Sequence, residues 1–159
     1  MIAQKGYDMD DGIRWPRGFE PDASPVHVVN RIDSTTAPDI VWRRLINALG
    51  WPAIYENASN VKVEGGGADL FAGARFTWKT FGIALESEVK EFEPETRIAW
   101  LATGLGVQAY HAWLITPTAT GCTILTEETQ HGLVARSGRL IFPSRMEHWH
   151  QKWLEALAA

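Results

Sequence analysis

The side chains able to carry chemistry together are few: five histidines and a single cysteine stand among nineteen carboxylates and eight tryptophans. His148 and His150 flank Trp149, but a spacing of two turns them to different sides of a helix, where paired metal ligands need a separation of three or four. Cys122 has no second thiol, so an intramolecular disulfide and a cysteine-rich metal site are both excluded. Gly65, Gly66 and Gly67 are followed by neither a P-loop lysine nor a dinucleotide fingerprint, and read as a flexible turn. No metal and no cofactor is expected. His111 and Glu128 remain. Each lies in a segment with strand character, and a histidine facing a carboxylate in an apolar interior can be tuned for proton transfer near neutral pH. Whether they face one another depends on strand register, because a slip of one residue exchanges the two faces of a sheet.

The elements that would position them follow from hydrophobic periodicity. Val26 to Asp33 is rich in β-formers and ends at a helix start, with Thr36 or Ala37 as cap, Pro38 in the first turn and Asp39 complementing the helix dipole. Val41, Trp42, Leu45, Ile46 and Leu49 recur at helical spacing up to Gly50, and Trp51-Pro52 opens a short second helix. From Val61 the period becomes two. Phe76 and Trp78, then Ile83, Leu85 and Val89, then Ile98 and Trp100 alternate with polar residues, and Val107 to Thr116 and Cys122 to Gln130 add two more strands. Short turns between them predict six or seven antiparallel strands. A final helical pattern begins after Gly132 and is broken or kinked at Pro143. Beyond it Met146, Trp149, Trp153 and Leu157, preceded by Phe142, form one apolar stripe.

A chain of 159 residues with 45% hydrophobic and 21% charged residues fits one α+β domain over residues 26–159, after an irregular polar leader over residues 1–25 that carries Asp8, Asp10 and Asp11. Trp15 and Phe19 of that leader are suited to docking on the domain. The net charge of −4 offers no footprint for a phosphate backbone, which argues against nucleic acid as a partner. The opening segment lacks the marks of a signal or transit peptide, and no apolar run approaches the ~18 residues of a membrane span. A cytoplasmic location without stable membrane insertion is therefore the expectation. The oligomeric state is left open.

Three segments carry a resemblance. IDSTTAPDIVWRRLINALGWPAIYENASNV looks like a strand followed by an Ala-Pro helix start with a Val-Trp pair and an aromatic-rich second helix. EVKEFEPETRIAW is similar to a strand, a Glu-Pro turn and a strand ending in Trp, and AYHAWLITPTATGCTILTEE to a penultimate hairpin. Together they resemble the polyketide cyclase/dehydrase and lipid-transport family of the helix-grip (START and birch-pollen-allergen-like) superfamily, over about Val26 to Leu157. The resemblance implies a curved sheet wrapped around the C-terminal helix, with a ligand cavity between the concave face and one side of that helix.

On that frame the alternation places Trp78, Ser87 and Trp100 inward. Ser87 is more simply read as bonded to backbone or buried water than to a ligand. The resemblance selects the register in which His111 and Trp113 face inward on one strand and Ile124, Thr126 and Glu128 on the next, an arrangement expected to need a bulge or irregular loop. Met146 and Trp149 would complete the wall from the helix, with Trp153 packed nearer the helix end. The expected ligand contacts are thus Trp78, Ser87, Trp100, His111, Trp113, Glu128, Met146 and Trp149. Binding or transport of a small hydrophobic molecule is the leading expectation, with cyclase, aromatase or dehydrase chemistry at His111 and Glu128 as its rival. A packed interaction module without a cavity is the third reading.

Overall fold

The computed structural model describes residues 12–159. The first eleven residues, with Asp8, Asp10 and Asp11, lie outside them. Strand β1 (Val26–Ser34) leads into helix α1 (Pro38–Ile46), a 3-10 turn over Ala48–Gly50 and the single turn α2 (Trp51–Ile54). The strands β2 (Ala58–Val63), β3 (Arg75–Thr80), β4 (Ile83–Glu93), β5 (Arg97–Gly104), β6 (Val107–Pro117) and β7 (Cys122–His131) follow. Helices α3 (Leu133–Ile141) and α4 (Arg145–Ala158) end the chain. The sheet order is β1-β7-β6-β5-β4-β3-β2, antiparallel throughout, and it curves around α4 in an α+β helix-grip fold.

Local sequence explains most of these elements. At the start of α1, Ala37 is extended, Pro38 occupies the first turn and Asp39 supplies the acid, while Val41, Trp42 and Leu45 are buried. The helix stops at Ile46, earlier than its periodicity predicts. The Asn47 side chain accepts from the Gly50 backbone N–H at 3.2 Å, so Gly50 closes a 3-10 turn instead of ending the helix. In β3 the inner residues Phe76, Trp78 and Thr80 are buried and the outer ones exposed. A bulge between Val89 and Glu91 shifts the phase of β4, which brings Phe92 opposite Ile98 and to 5.2 Å from the Trp42 ring.

Strands β6 and β7 pair His111 with Glu128, Trp113 with Thr126 and Ile115 with Ile124 in one continuous register. Of the bulge or irregular loop expected between them, no bulge is present; the loop at residues 118–121, closed by Thr118 N–H donating to Gly121 O at 2.9 Å, supplies the phase. A Cβ at Gly121 would stand 2.0 Å from Ser34 O, so that turn requires glycine.

Aromatic rings fill the space between sheet and helices. Trp51, Trp100, Trp113 and Trp153 are fully buried, and the Trp51 ring lies 5.7, 5.3, 5.6 and 5.1 Å from Phe76, Trp78, Trp100 and Trp153. Its Nε1–H donates to Leu45 O at 2.9 Å. On the opposite face of the sheet, Trp15 and Phe19 sit 5.9 and 6.2 Å from the Tyr110 ring and cover Ala99 and Ala112. Among the described residues, no helix is long and apolar enough to cross a membrane.

Candidate functional site

Between the concave face, α3 and α4 lies a cavity of about 480 Å³, a size suited to a small organic molecule. The sheet lines it with Trp78, Leu85, Trp100, Ala102, Ala109, His111 and Glu128, and α4 with Met146, His150 and Trp153. Exposed residues of α3 and the segment after it, including Leu133 and Phe142, frame its mouth.

Three expected contacts stand outside this wall. Ser87 accepts a hydrogen bond from Trp78 Nε1 at 3.1 Å, so its hydroxyl holds the indole. Trp113 is buried behind the wall, its ring 5.0 Å from His111 and 4.9 Å from Trp153. Trp149 turns towards Tyr55, 6.1 Å away, because the buried side of α4 is defined by His150, Trp153, Leu154 and Leu157. Trp153 accordingly sits in the cavity wall and not at the helix end. The register predicted for His111 and Glu128 is the one observed.

The deepest polar feature joins three buried side chains. His111 and Glu128 are neighbours across the β6–β7 ladder, with Nδ1 and Oε2 3.1 Å apart. His150 of α4 reaches the same oxygen from above, its Nε2 at 3.2 Å. The other carboxylate oxygen accepts from Gln130 Nε2 at 2.6 Å. His111 Nε2 lies 2.8 Å from Thr126 Oγ1, which is also 3.1 Å from Ala112 O. Exposures of 3% for His111, 7% for Glu128 and 2% for His150 make this a charge cluster in a low-dielectric setting.

Electrostatics favours an ionised carboxylate. Burial opposes charge on Glu128, but His111, His150 and Gln130 together outweigh it and lower the carboxyl to about 2. For His111 burial is the largest influence; it exceeds the pull of Glu128 and, helped by His150, brings the imidazole down to about 3. A neutral His111 donates Nδ1–H to Glu128 and accepts the Thr126 proton at Nε2. Were it to gain a proton, Thr126 could turn its own to Ala112 O and accept from Nε2–H, so both states keep their hydrogen bonds.

The ligand atoms of His111, Glu128 and His150 lie within 4.8 Å of one another, the composition of a two-histidine, one-carboxylate metal site. Their geometry fits hydrogen bonding better. The imidazoles stack with centroids 4.8 Å apart and planes 21° apart, and the nitrogen each turns inward is directed at a carboxylate oxygen that can accept from both. Both nitrogens already sit at hydrogen-bond distance from one oxygen.

His150 is the participant missed in the sequence. Met146, His150, Trp153 and Leu157 are spaced four, three and four apart, the spacing of one helix face, but the apolar stripe through Trp149 obscured it. Four buried nitrogens in this region have no protein partner: His150 Nδ1 and the Nε1 atoms of Trp100, Trp113 and Trp153.

The family model described as polyketide cyclase/dehydrase and lipid transport matches residues 25–159. The crystal structure of hypothetical protein jhp0584 from Helicobacter pylori is 30% identical, with a TM-score of 0.86, and the match covers 99% of this chain and 97% of that one. The Zhui aromatase/cyclase from Streptomyces shares the fold at 17% identity and a TM-score of 0.66, covering 84% of this chain and 91% of that one. Truncated norcoclaurine synthase from Thalictrum flavum does so at 13% identity and a TM-score of 0.64, with 84% and 91% covered. No curated protein matches significantly.

Proposed function

The chain belongs to the polyketide cyclase/dehydrase and lipid transport family, and on that premise we propose that its cavity binds a small hydrophobic molecule carrying a hydroxyl group. The observation behind this reading is the mismatch between an aromatic, apolar wall and the unpartnered nitrogens in it. His150 Nδ1 can accept one hydrogen bond, and Trp100 and Trp153 can each donate one. Buried polar groups without partners are costly, and a ligand hydroxyl, which both donates and accepts, would relieve that cost where these rings turn to meet it.

Native mass spectrometry of freshly purified protein, with extraction of any retained small molecule, tests the reading without choosing a ligand. Titration with anilinonaphthalene sulfonate should quench the tryptophan emission saturably. Ala109→Trp, which projects an indole into the cavity, should abolish that quenching while circular dichroism stays unchanged. A folded Ala109→Trp protein that quenches like the wild type would sink the proposal.

A second reading is favoured by the orientation of His150. Glu128 holds its Nε2–H and leaves Nδ1 as a basic lone pair, the relation in which a carboxylate orients a general base. His150 would then abstract a proton from the carbon between a carbonyl and a hydroxyl-bearing carbon of the bound chain, and the protonated imidazole would return it to that hydroxyl as the C–O bond breaks, water leaves and a C=C bond forms. Under this reading His150→Gln loses turnover and keeps probe binding. Unchanged turnover in His150→Gln removes it.

A further inference from the structure

The face that frames the cavity mouth has a composition unusual for a surface. Leu105, Leu133, Leu140, Ile141 and Phe142 are 86%, 80%, 84%, 65% and 54% exposed. They form one region, because the β5–β6 turn is bonded to the start of α3 through Val134 N–H donating to Gly106 O at 3.0 Å. On α3 the single buried residue is Ala135, and Leu133, Ser137 and Leu140 lie on the opposite side of the helix. The helix is thus amphipathic with an apolar stripe turned to solvent, the reverse of a helix that serves only the core.

The charges in this region have one sign. Between Gly132 and Met146 the sequence contains Arg136, Arg139 and Arg145 and no carboxylate, in a chain whose net charge is −4. Arg139 is paired with Glu147 of α4, while the Arg145 guanidinium lies over the Phe81 and Phe142 rings at 5.3 and 5.5 Å. Exposed leucines flanked by arginines satisfy both requirements of an interfacial helix, which buries apolar side chains among acyl chains and sets its basic ones against anionic headgroups. A protein partner of acidic surface would meet the arginines but leave Leu105, Leu133 and Leu140 without deep apolar company, so the lipid surface is the better match.

We propose that α3 and the β5–β6 turn dock the protein on an anionic lipid surface, with the cavity mouth against the membrane. A hydrophobic molecule could then pass between the acyl layer and the cavity without crossing water. Docking is reversible and peripheral, and it stands apart from the ligand reading, since vesicle binding is measured with no ligand present.

The test is flotation with vesicles of phosphatidylcholine alone or with about one third phosphatidylserine, at low and high salt. The wild type should float only with the anionic vesicles and should be released by salt. The double variant Leu105→Ser/Leu140→Ser, at two positions outside the cavity wall, should reduce partitioning on the order of tenfold or more. Arg136→Gln should reduce it about fivefold. Circular dichroism and saturable probe quenching should be retained by all variants, which separates failure of docking from failure of ligand binding. Equal binding to both vesicle types, no binding at low salt, or full binding by the double variant would each overturn the proposal. So would a wild-type dimer in sedimentation velocity that the double variant dissociates, because the apolar face would then belong to a second copy.

Discussion

Replacing His111 by glutamine tests the charge state of the buried cluster through the pH dependence of stability. The ordinary imidazole value of 6.5 falls to about 3 in the folded protein, chiefly by burial, against the opposing influence of Glu128. The unfolded chain therefore takes up a proton as pH drops through 6.5, while the folded chain resists until about 3. More protons bound unfolded than folded means stability that rises with pH: it is fully present above the unfolded value and lost as pH falls towards the folded one. From pH 7 to pH 4.5 this single group removes between about 2 and 3 kcal/mol, at ~1.4 kcal/mol per pH unit once the unfolded imidazole is charged. Glu128 titrates lower, its contribution being lost as pH falls from 4.5 towards about 2, so stopping at pH 4.5 largely excludes it. Urea denaturation of wild type and His111→Gln at several pH values gives the difference, in which the other carboxylates largely cancel. The wild type should lose about 2–3 kcal/mol more than the variant across that window. Parallel profiles would show that His111 does not differ in protonation between the two states. A wild type that gains on the variant as pH falls would establish an imidazolium–carboxylate pair and refute the neutral assignment.

Three further outcomes are expected. Trp153→Ala, which removes the ring touching Trp51, Trp78, Trp100 and Trp113, should cost about 3–5 kcal/mol in urea denaturation and enlarge the cavity. Gly121→Ala should cost about 2–3 kcal/mol, since its Cβ would strike Ser34 O and strand β1 must retreat; an unchanged melting temperature would show that the turn adapts freely. Trp15→Ala should lower stability by about 1 kcal/mol through lost contact with Tyr110 and leave probe affinity unchanged, because that ring lies on the far face of the sheet.

Much of the fold was legible because its local signals agree with one another. The Ala-Pro helix start, the two-residue period from Phe76 to Val89 and the break at Pro143 each act within a few residues, and the structure keeps all three. Pairing His111 with Glu128 needed the resemblance as well, because alternation alone admits either face. The remainder was lost where the deciding contact is distant in the chain. Trp149 and His150 are adjacent, and only the tilt of α4 against the sheet selects His150 for burial beside Glu128. Ser87 and Trp113 have the correct face but lie outside the cavity, since a face says nothing about depth. The phase shift in β4 arises from a bulge without a glycine or proline to announce it.

The break between α3 and α4 also divides the molecule into parts of unequal persistence. Gly132 at φ 109° and Pro143 bracket a helix that buries only Ala135, whereas α4 buries four residues in the aromatic centre. Opening α3 therefore exposes little apolar surface, and its amides should exchange with solvent through local fluctuations, while those of α4 wait for global unfolding. If the cavity binds a ligand as proposed, the rate at which molecules enter and leave it should follow the openings of this weaker helix. Mutations that stiffen or loosen α3 would change residence time with little effect on melting temperature, leaving kinetics and stability free to vary separately.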